Sequence, residues 1–224
     1  MNRQLTAIMF ADMVGYTALM QEDEIKSRAN LDQARKIWVR RVEEHDGQIL
    51  QYYGDGALST FPSAIEAVGA AIHIQDDLQG PPQIPVRIGL HTGDIIHDKE
   101  GVFGDGVNLA ARVQALSVPG GVLISEKVYD EVKNQAGIQA RSMGSFALKN
   151  VKRPMEIWAI ANPGLSVPDP AKRGSRPAQC RNSVAVLPFG SLAADSVEGV
   201  VSGGFAGARG GASARGTGRR GTAG

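Results

Sequence analysis

Cysteine is nearly absent from this chain: Cys180 is the only one in 224 residues. A single thiol excludes an intramolecular disulfide, so nothing points to an oxidising compartment. An excess of charge of one sign is also missing. The formal net charge of +1 gives no reason to expect nucleic acid or an anionic membrane as the main partner. No apolar run approaches the roughly 18 to 20 residues of a membrane span. The opening "MNRQLTAIMFADM" carries an aspartate where a signal peptide would be apolar. The expectation is a cytoplasmic protein. The four histidines, His45, His73, His91 and His97, show no metal-ligand spacing. No lysine follows a glycine-rich loop as in a P-loop, and "GGFAGARGG" and "GDGVNL" lack full dinucleotide-binding spacing.

What is present is globular: 42% hydrophobic and 21% charged residues, enough for one good-sized domain plus extras. Regular apolar periodicity runs to about Asn162, defining a domain over 1–162. Residues 163–182 are Pro-, Gly- and Arg-rich and read as a linker. "SVAVLPFGSL" then reads as a buried strand opening a second domain, 183–202, that is cut short. The remainder, 203–224, has almost no large apolar residues and builds no core. Two origins stand open for it: a native flexible tail, or frameshifted or read-through text.

Within 1–162, "LTAIMFA" is an apolar run of strand length. Glu22 to Asp46 reads as one helix, with Ile25, Ala29, Ile37, Trp38 and Val42 recurring and Gly47 as its stop. "LQYYGDGALSTF" reads as a hairpin with Asp55 at its tip between two glycines. Ser63 and Glu66 have capping-box spacing, placing a helix over about 64–79, with His73 partly buried on it. "VRIGLHT" is a strand, and Asp94 after it a turn or capping residue. This order is the βαββαβ pattern of a ferredoxin-like α+β fold, an antiparallel sheet with both helices on one face. A C-terminal α/β extension follows: a glycine turn into a helix in "GVFGDGVNLAARVQAL", the strand "GGVLIS", a short helix capped by Ser125, and closing strands "SFALK" and "MEIWAI". Trp38 and Phe61 are expected in the core.

Asp12 directly follows an apolar strand, an expensive place for a carboxylate unless it is paired or holds a cation. In the βαββαβ order the end of the first strand and the hairpin tip are neighbours, which brings Asp12 and Asp55 together. Two converging carboxylates repel unless a cation bridges them, and hard oxygen donors favour Mg²⁺ or Mn²⁺. Taken singly, Asp12 is as readily a cap and Asp55 a plain turn residue; together they favour a metal site. Gly15 to Thr17, "GYT", reads as a turn whose N–H groups and Thr17 hydroxyl can receive phosphate oxygens. Asn108 and Arg112, i and i+4 on one helix face, suit a sugar oxygen and a phosphate, although such a pair is more often simply solvated.

The motifs "FADMVGYT", "YYGDGALSTF" and "FGDGVNLAARV", in this order, resemble the class III nucleotidyl cyclase catalytic domain over roughly residues 5–160. "GSFALKNVKRPMEIWAI" resembles the end of that domain. The linker and "SVAVLPF" further resemble bacterial cyclases with a TolB-like or tetratricopeptide-repeat region after the catalytic domain. The resemblance implies a homodimer with active sites at its interface and two Mg²⁺ or Mn²⁺ ions per site. Asp12, with Met13 beside it, and Asp55 would bind metal. Gly15, Tyr16, Thr17 and Lys149 would hold phosphates, and Asn108 and Arg112 would act from the opposite subunit. The implied reaction is adenylate cyclase: the ribose 3′-hydroxyl of ATP attacks the α-phosphate, giving cyclic AMP and pyrophosphate.

The sequence departs from the pattern where the purine is read. Gln51 stands where a lysine is common and Gly101 where an acidic residue is common, with Glu100 available only if the loop shifts by one. A glutamine amide pairs with the edge of adenine or guanine. The resemblance leans to adenine; GTP, a catalytically silent nucleotide-binding domain and a pure dimerisation module are the competing readings.

Overall fold

The fold is described from a computed structural model covering residues 2–98, 101–149, 151 and 153–169. The two segments expected after the linker, 183–202 and 203–224, lie outside these residues, as do Cys180, Glu100 and most of the linker itself. Strand β1 (Asn2–Met13) runs through the middle of the sheet. It pairs antiparallel with β3 (Gly56–Phe61) on one side and β4 (Val86–Asp98) on the other. β2 (Gln48–Tyr53) makes the hairpin with β3. Beyond β4 come β6 (Val122–Ser125), parallel to it, then β8 (Met155–Ile160) and β7 (Ala140–Phe146). The path is β2-β3-β1-β4-β6-β8-β7, with the short β5 (Gly101–Phe103) paired to the far end of β4. The ferredoxin-like core with a C-terminal α/β extension is therefore present.

Period-two alternation sorts β1 between two cores. Ala7, Met9, Ala11 and Met13 face α2 (Glu24–Glu44) and α3 (Ala64–Leu78), in a core that also takes in α5 (Glu126–Val132). Ile8 and Phe10 face the opposite side, where α4 (Asp105–Ala115) packs through Val107 and Ala110. α2 and α3 share one face as expected, and α4 has the other. Trp38 and Phe61 are buried in the first core. Arg41 forks onto Asp77 at 2.6 and 2.9 Å and fastens α2 to α3. Buried Gln75 donates to the carbonyls of Val86 and Gly121, both at 3.0 Å, bracing the β4–β6 junction.

Several local expectations are corrected. The helix expected over 22–46 is α2, which starts at Glu24 because the Asp23 carboxylate caps it by accepting from the Lys26 N–H at 2.9 Å; a separate short helix, α1 (Tyr16–Glu22), precedes it where no helix is expected. The buried stripe of α2 is Ser27, Asn30, Leu31, Ala34, Trp38 and Val42, while Ile25 is 85% exposed. At about 100° per residue Ile25 and Ala29 lie roughly 140° and 180° around α2 from Trp38, so they fall on its outer face. Ser63 caps α3 at 3.2 Å, yet the Glu66 side chain goes to His45 Nδ1 at 2.7 Å, so no reciprocal capping box forms. His73 is exposed and Asp94 lies on β4. The closing strand ends at Phe146, because Leu148 turns inward and Val151 N–H closes back on its carbonyl at 3.1 Å.

α4 lies unusually close to β4. A Cβ at Gly89 would stand 2.1 Å from the Gln114 backbone nitrogen, and one at Gly93 would stand 3.0 Å from Gly106 Cα. Gly89→Ala should therefore cost about 3 kcal/mol or more through overpacking against helix backbone, measured by urea denaturation.

Buried His91 meets Ser125 Oγ at 2.9 Å, and burial, with Lys127 a smaller contributor, pushes its pKa down from 6.5 to about 4. The unfolded chain then binds this proton at higher pH than the folded one. Stability should rise with pH between about 4 and 6.5 by up to ~1.4 kcal/mol per unit. His91→Gln should flatten that slope in denaturation series across this range.

Candidate functional site

Antiparallel register places Asp12 opposite Gly56 on one side and opposite Arg87 on the other. Asp55 precedes Gly56 in the β2–β3 turn, and its carbonyl accepts the Met13 N–H at 3.3 Å. The two aspartates are thereby brought together, as the spacing of elements suggested. Asp12 follows Ile8 and Phe10 in the alternation, so its carboxylate lies on the α4 side. There it pairs with Arg87 at 2.5 Å and is reached by Gln114 Nε2 at 3.4 Å. Neither partner was singled out in the sequence. A lone arginine inside the apolar run "VRIGL" was the available signal, whereas Gln114 has none: only packing aims it.

Burial pushes the Asp55 carboxyl above its usual range, the Asp12 charge adds to this, and its own backbone N–H and Arg87 partly oppose it. Burial first, and the second carboxylate next, disfavour the charged form of Asp55, so a cation beside it would favour that form. Among the described residues no group of three or more His, Cys, Asp or Glu side chains converges. Two carboxylates without a third ligand suit a hard cation that completes its shell with water and phosphate oxygens, as Mg²⁺ does, better than a closed zinc site. The residues present fit such an ion. Met13 is buried with its thioether in the α2/α3 core, so only its backbone can face that site.

Gly15 takes a left-handed conformation (φ 79°) and starts α1, so "GYT" is the first turn of a helix rather than a free turn. Its N–H groups are still the unpaired donors of a helix start. Val14 N–H to the Pro85 carbonyl, 2.7 Å, fixes this segment beside β4. Gln51 pairs with Leu58 next to a bulge in β2 and is half-buried. It shares the face of Tyr53, which stacks on Phe10 at 5.4 Å and whose hydroxyl is pushed up to about 12 by burial.

The remaining predicted residues do not join this group within one chain. Asn108 and Arg112 are half-buried on α4. At about 100° per residue, Arg112 lies roughly 160° around the helix from Gln114, the α4 residue that does reach Asp12. Gly101 pairs with Asp98 at the far end of β4, whereas Gln51 is level with Gly89 across the sheet. They stand about 30 Å apart along the strand direction. Lys149 is exposed on the turn after β7, about 19 Å across the sheet from β1, with β4, β6 and β8 between.

If the two carboxylates feel one another in solution, Asp12→Asn should lower the Asp55 pKa toward its ordinary value. Carbon-detected NMR titration of the carboxyl checks this, and an unmoved Asp55 would mean that the turn holds it elsewhere.

The family described as the adenylate and guanylate cyclase catalytic domain matches residues 2–162. The chain is 37% identical over 216 residues to "Putative adenylate cyclase 3" of Rhizobium meliloti (strain 1021), a match covering 88% of this chain and 35% of that protein. It thus spans about a third of that relative's length. The solved structure of an adenylate/guanylate cyclase/hydrolase from Silicibacter pomeroyi superposes with a TM-score of 0.64 at 32% identity, covering 75% of this chain and 99% of that one. The adenylyl cyclase CyaB from P. aeruginosa, at 24% identity and TM-score 0.63 over 74% of this chain and 100% of that one, shares the fold. The chain belongs to the adenylate and guanylate cyclase catalytic domain family. The TolB-like or tetratricopeptide resemblance falls on undescribed residues. Among the described residues no helix is long and apolar enough to cross a membrane.

Proposed function

We propose that this domain is an adenylate cyclase, converting ATP to 3′,5′-cyclic AMP and pyrophosphate at sites built across a homodimer. The observation that carries the proposal is the convergence of Asp12 and Asp55 at the paired ends of β1 and the β2–β3 hairpin. In this reading both aspartates hold Mg²⁺ or Mn²⁺, two ions per site, with the Met13 backbone beside them. Bound there, the ions supply Lewis-acid activation of the 3′-hydroxyl and neutralise charge on the leaving pyrophosphate.

The protein's own groups do the rest. Gly15, Tyr16 and Thr17 offer helix-start N–H donors to phosphate oxygens. Arg87, already beside Asp12, adds fixed positive charge next to the triphosphate. Asn108 orients the ribose, and Arg112 stabilises charge developing at the α-phosphate, where a preorganised guanidinium acts mainly on the transition state. Lys149 binds the triphosphate. The homodimer reading is supported by the opposite facing of Gln114 and Arg112 and by the separation of Gln51 from Gly101. One chain does not gather all of these residues around one nucleotide, and two chains related by a twofold axis can.

Adenine is favoured because the relative at 37% identity carries an adenylate cyclase name and because Gln51 can both donate to and accept from its edge. The second reading is GTP: the Gln51 amide serves guanine as well, and Gly101 brings no side chain to decide between them.

Turnover with ATP and with GTP in excess Mn²⁺ tests this. Cyclic AMP should form, Asp55→Ala should abolish it, and Arg112→Ala should lower kcat by about 10²-fold or more while sparing nucleotide binding. Mixing the two variants should restore activity well above that of either alone, since half-sites from different chains then combine. Cyclic GMP alone would overturn the base; no rescue on mixing would overturn the shared site.

A further inference from the structure

We propose that Arg35, on the outward side of α2, is a positioning residue for Asp55, clamping the β2–β3 turn from outside so that its carboxylate meets the cation in one geometry. The inference rests on the metal-binding role proposed above for Asp55.

The turn needs such a device. Gly54 has φ 58°, is exposed, and would leave a Cβ with nothing within 4 Å, so the tip is not held by packing. On its inner side the Asp55 carbonyl accepts the Met13 N–H at a long 3.3 Å, next to the Gly56 pair with Asp12. On its outer side Arg35 Nη2 donates to the Gly54 carbonyl at 3.0 Å. The same guanidinium lies over the Tyr52 ring, 4.8 Å from its centroid. One planar cation thus grips the peptide just before Asp55 and the aromatic three residues before it. The root of the clamp is rigid, because Ala34 and Trp38, on either side of Arg35 in α2, are buried against the sheet.

The clamp acts by position rather than by charge. The side-chain charges that shift Asp55 are those of Asp12 and Arg87. A lysine in place of Arg35 keeps the positive charge but cannot stack flat on Tyr52 and donate to Gly54 at once. Holding the turn costs the folded protein little, since both contacts are at the surface, so its loss should show in metal handling far more than in stability.

The test uses the full chain with Arg35→Lys and Tyr52→Leu, with Arg28→Gln as a control on the same helix. Arg28 is an exposed partner of Glu24 far from the turn in sequence. Two readouts are taken: the Mn²⁺ concentration for half-maximal turnover, and amide hydrogen exchange in the metal-free protein. Arg35→Lys should raise the half-activating Mn²⁺ concentration about tenfold, the low end for loss of an outer-shell support, with kcat at saturating Mn²⁺ little changed. Exchange at Tyr53 and Gly56, the pair closing the hairpin, should accelerate while β1 keeps its protection. Tyr52→Leu should move both readouts the same way by less, and it carries the test if Arg35→Lys does not fold. Wild-type metal dependence and wild-type exchange in both variants would overturn the clamp, as would a lowered melting temperature with metal dependence unchanged. An Asp55→Ala protein with normal Mn²⁺ activation would instead overturn the metal role of Asp55 itself, a separate and recognisable failure.

Discussion

Everything at the site depends on the register of β1 between β3 and β4. That register sets Asp12 level with Gly56 and Arg87 and sends Ala11 and Met13 to the helical core. A slip of one residue would invert every side chain on the strand, driving Asp12 into the α2/α3 core and Met13 toward α4. Such a slip is costly because it buries the Asp12 carboxylate in an apolar core and sets Ala7, Met9 and Ala11 where Ile8 and Phe10 pack. Asp12 is thus held where it is by the burial of its neighbours, which leaves its carboxylate free to be balanced by Arg87 and to face Asp55. The polar geometry of the site is secured by apolar packing on both sides of one strand.

α4 extends that dependence to a second surface. Its approach to β4 is set by glycines at 89, 93 and 106, positions where a methyl group would strike helix or strand atoms. The close crossing delivers Gln114 to Asp12 on the inner face. The same rigid helix presents Asn108 and Arg112 elsewhere. In the proposed dimer, one helix would then support the aspartate of its own site with one face and serve the neighbouring site with another. Strain or displacement of α4 would be felt at both.

The periphery follows different rules. The β2–β3 turn, the α1 start and the turn bearing Lys149 are exposed, and each is steadied by a few specific hydrogen bonds: Arg35 to Gly54, Val14 to Pro85, Val151 to Leu148. Such contacts are individually modest and easily rearranged. They decide where functional groups point without contributing much to whether the chain folds.

From the sequence alone the βαββαβ order, the hairpin at Asp55, the α3 cap at Ser63 and the pairing of Asp12 with Asp55 could be read, because each depends on local periodicity, turn chemistry or strand order. Helix α1 ahead of Asp23 and the early end of β7 could not. α1 buries no residue and so leaves no apolar period to read, and β7 ends where Leu148 turns inward, which neither apolar spacing nor propensity records. Asp12 was visible as a carboxylate next to a glycine-bearing turn, and Asp55 as one within such a turn. Arg87 beside Asp12, Gln114 reaching it across a gap that only glycine permits, and Arg35 gripping the turn from α2 were settled by tertiary structure. These contacts join residues 19 to 102 positions apart, and a contact at that separation is fixed only when the sheet has assembled in register and the helices have packed upon it.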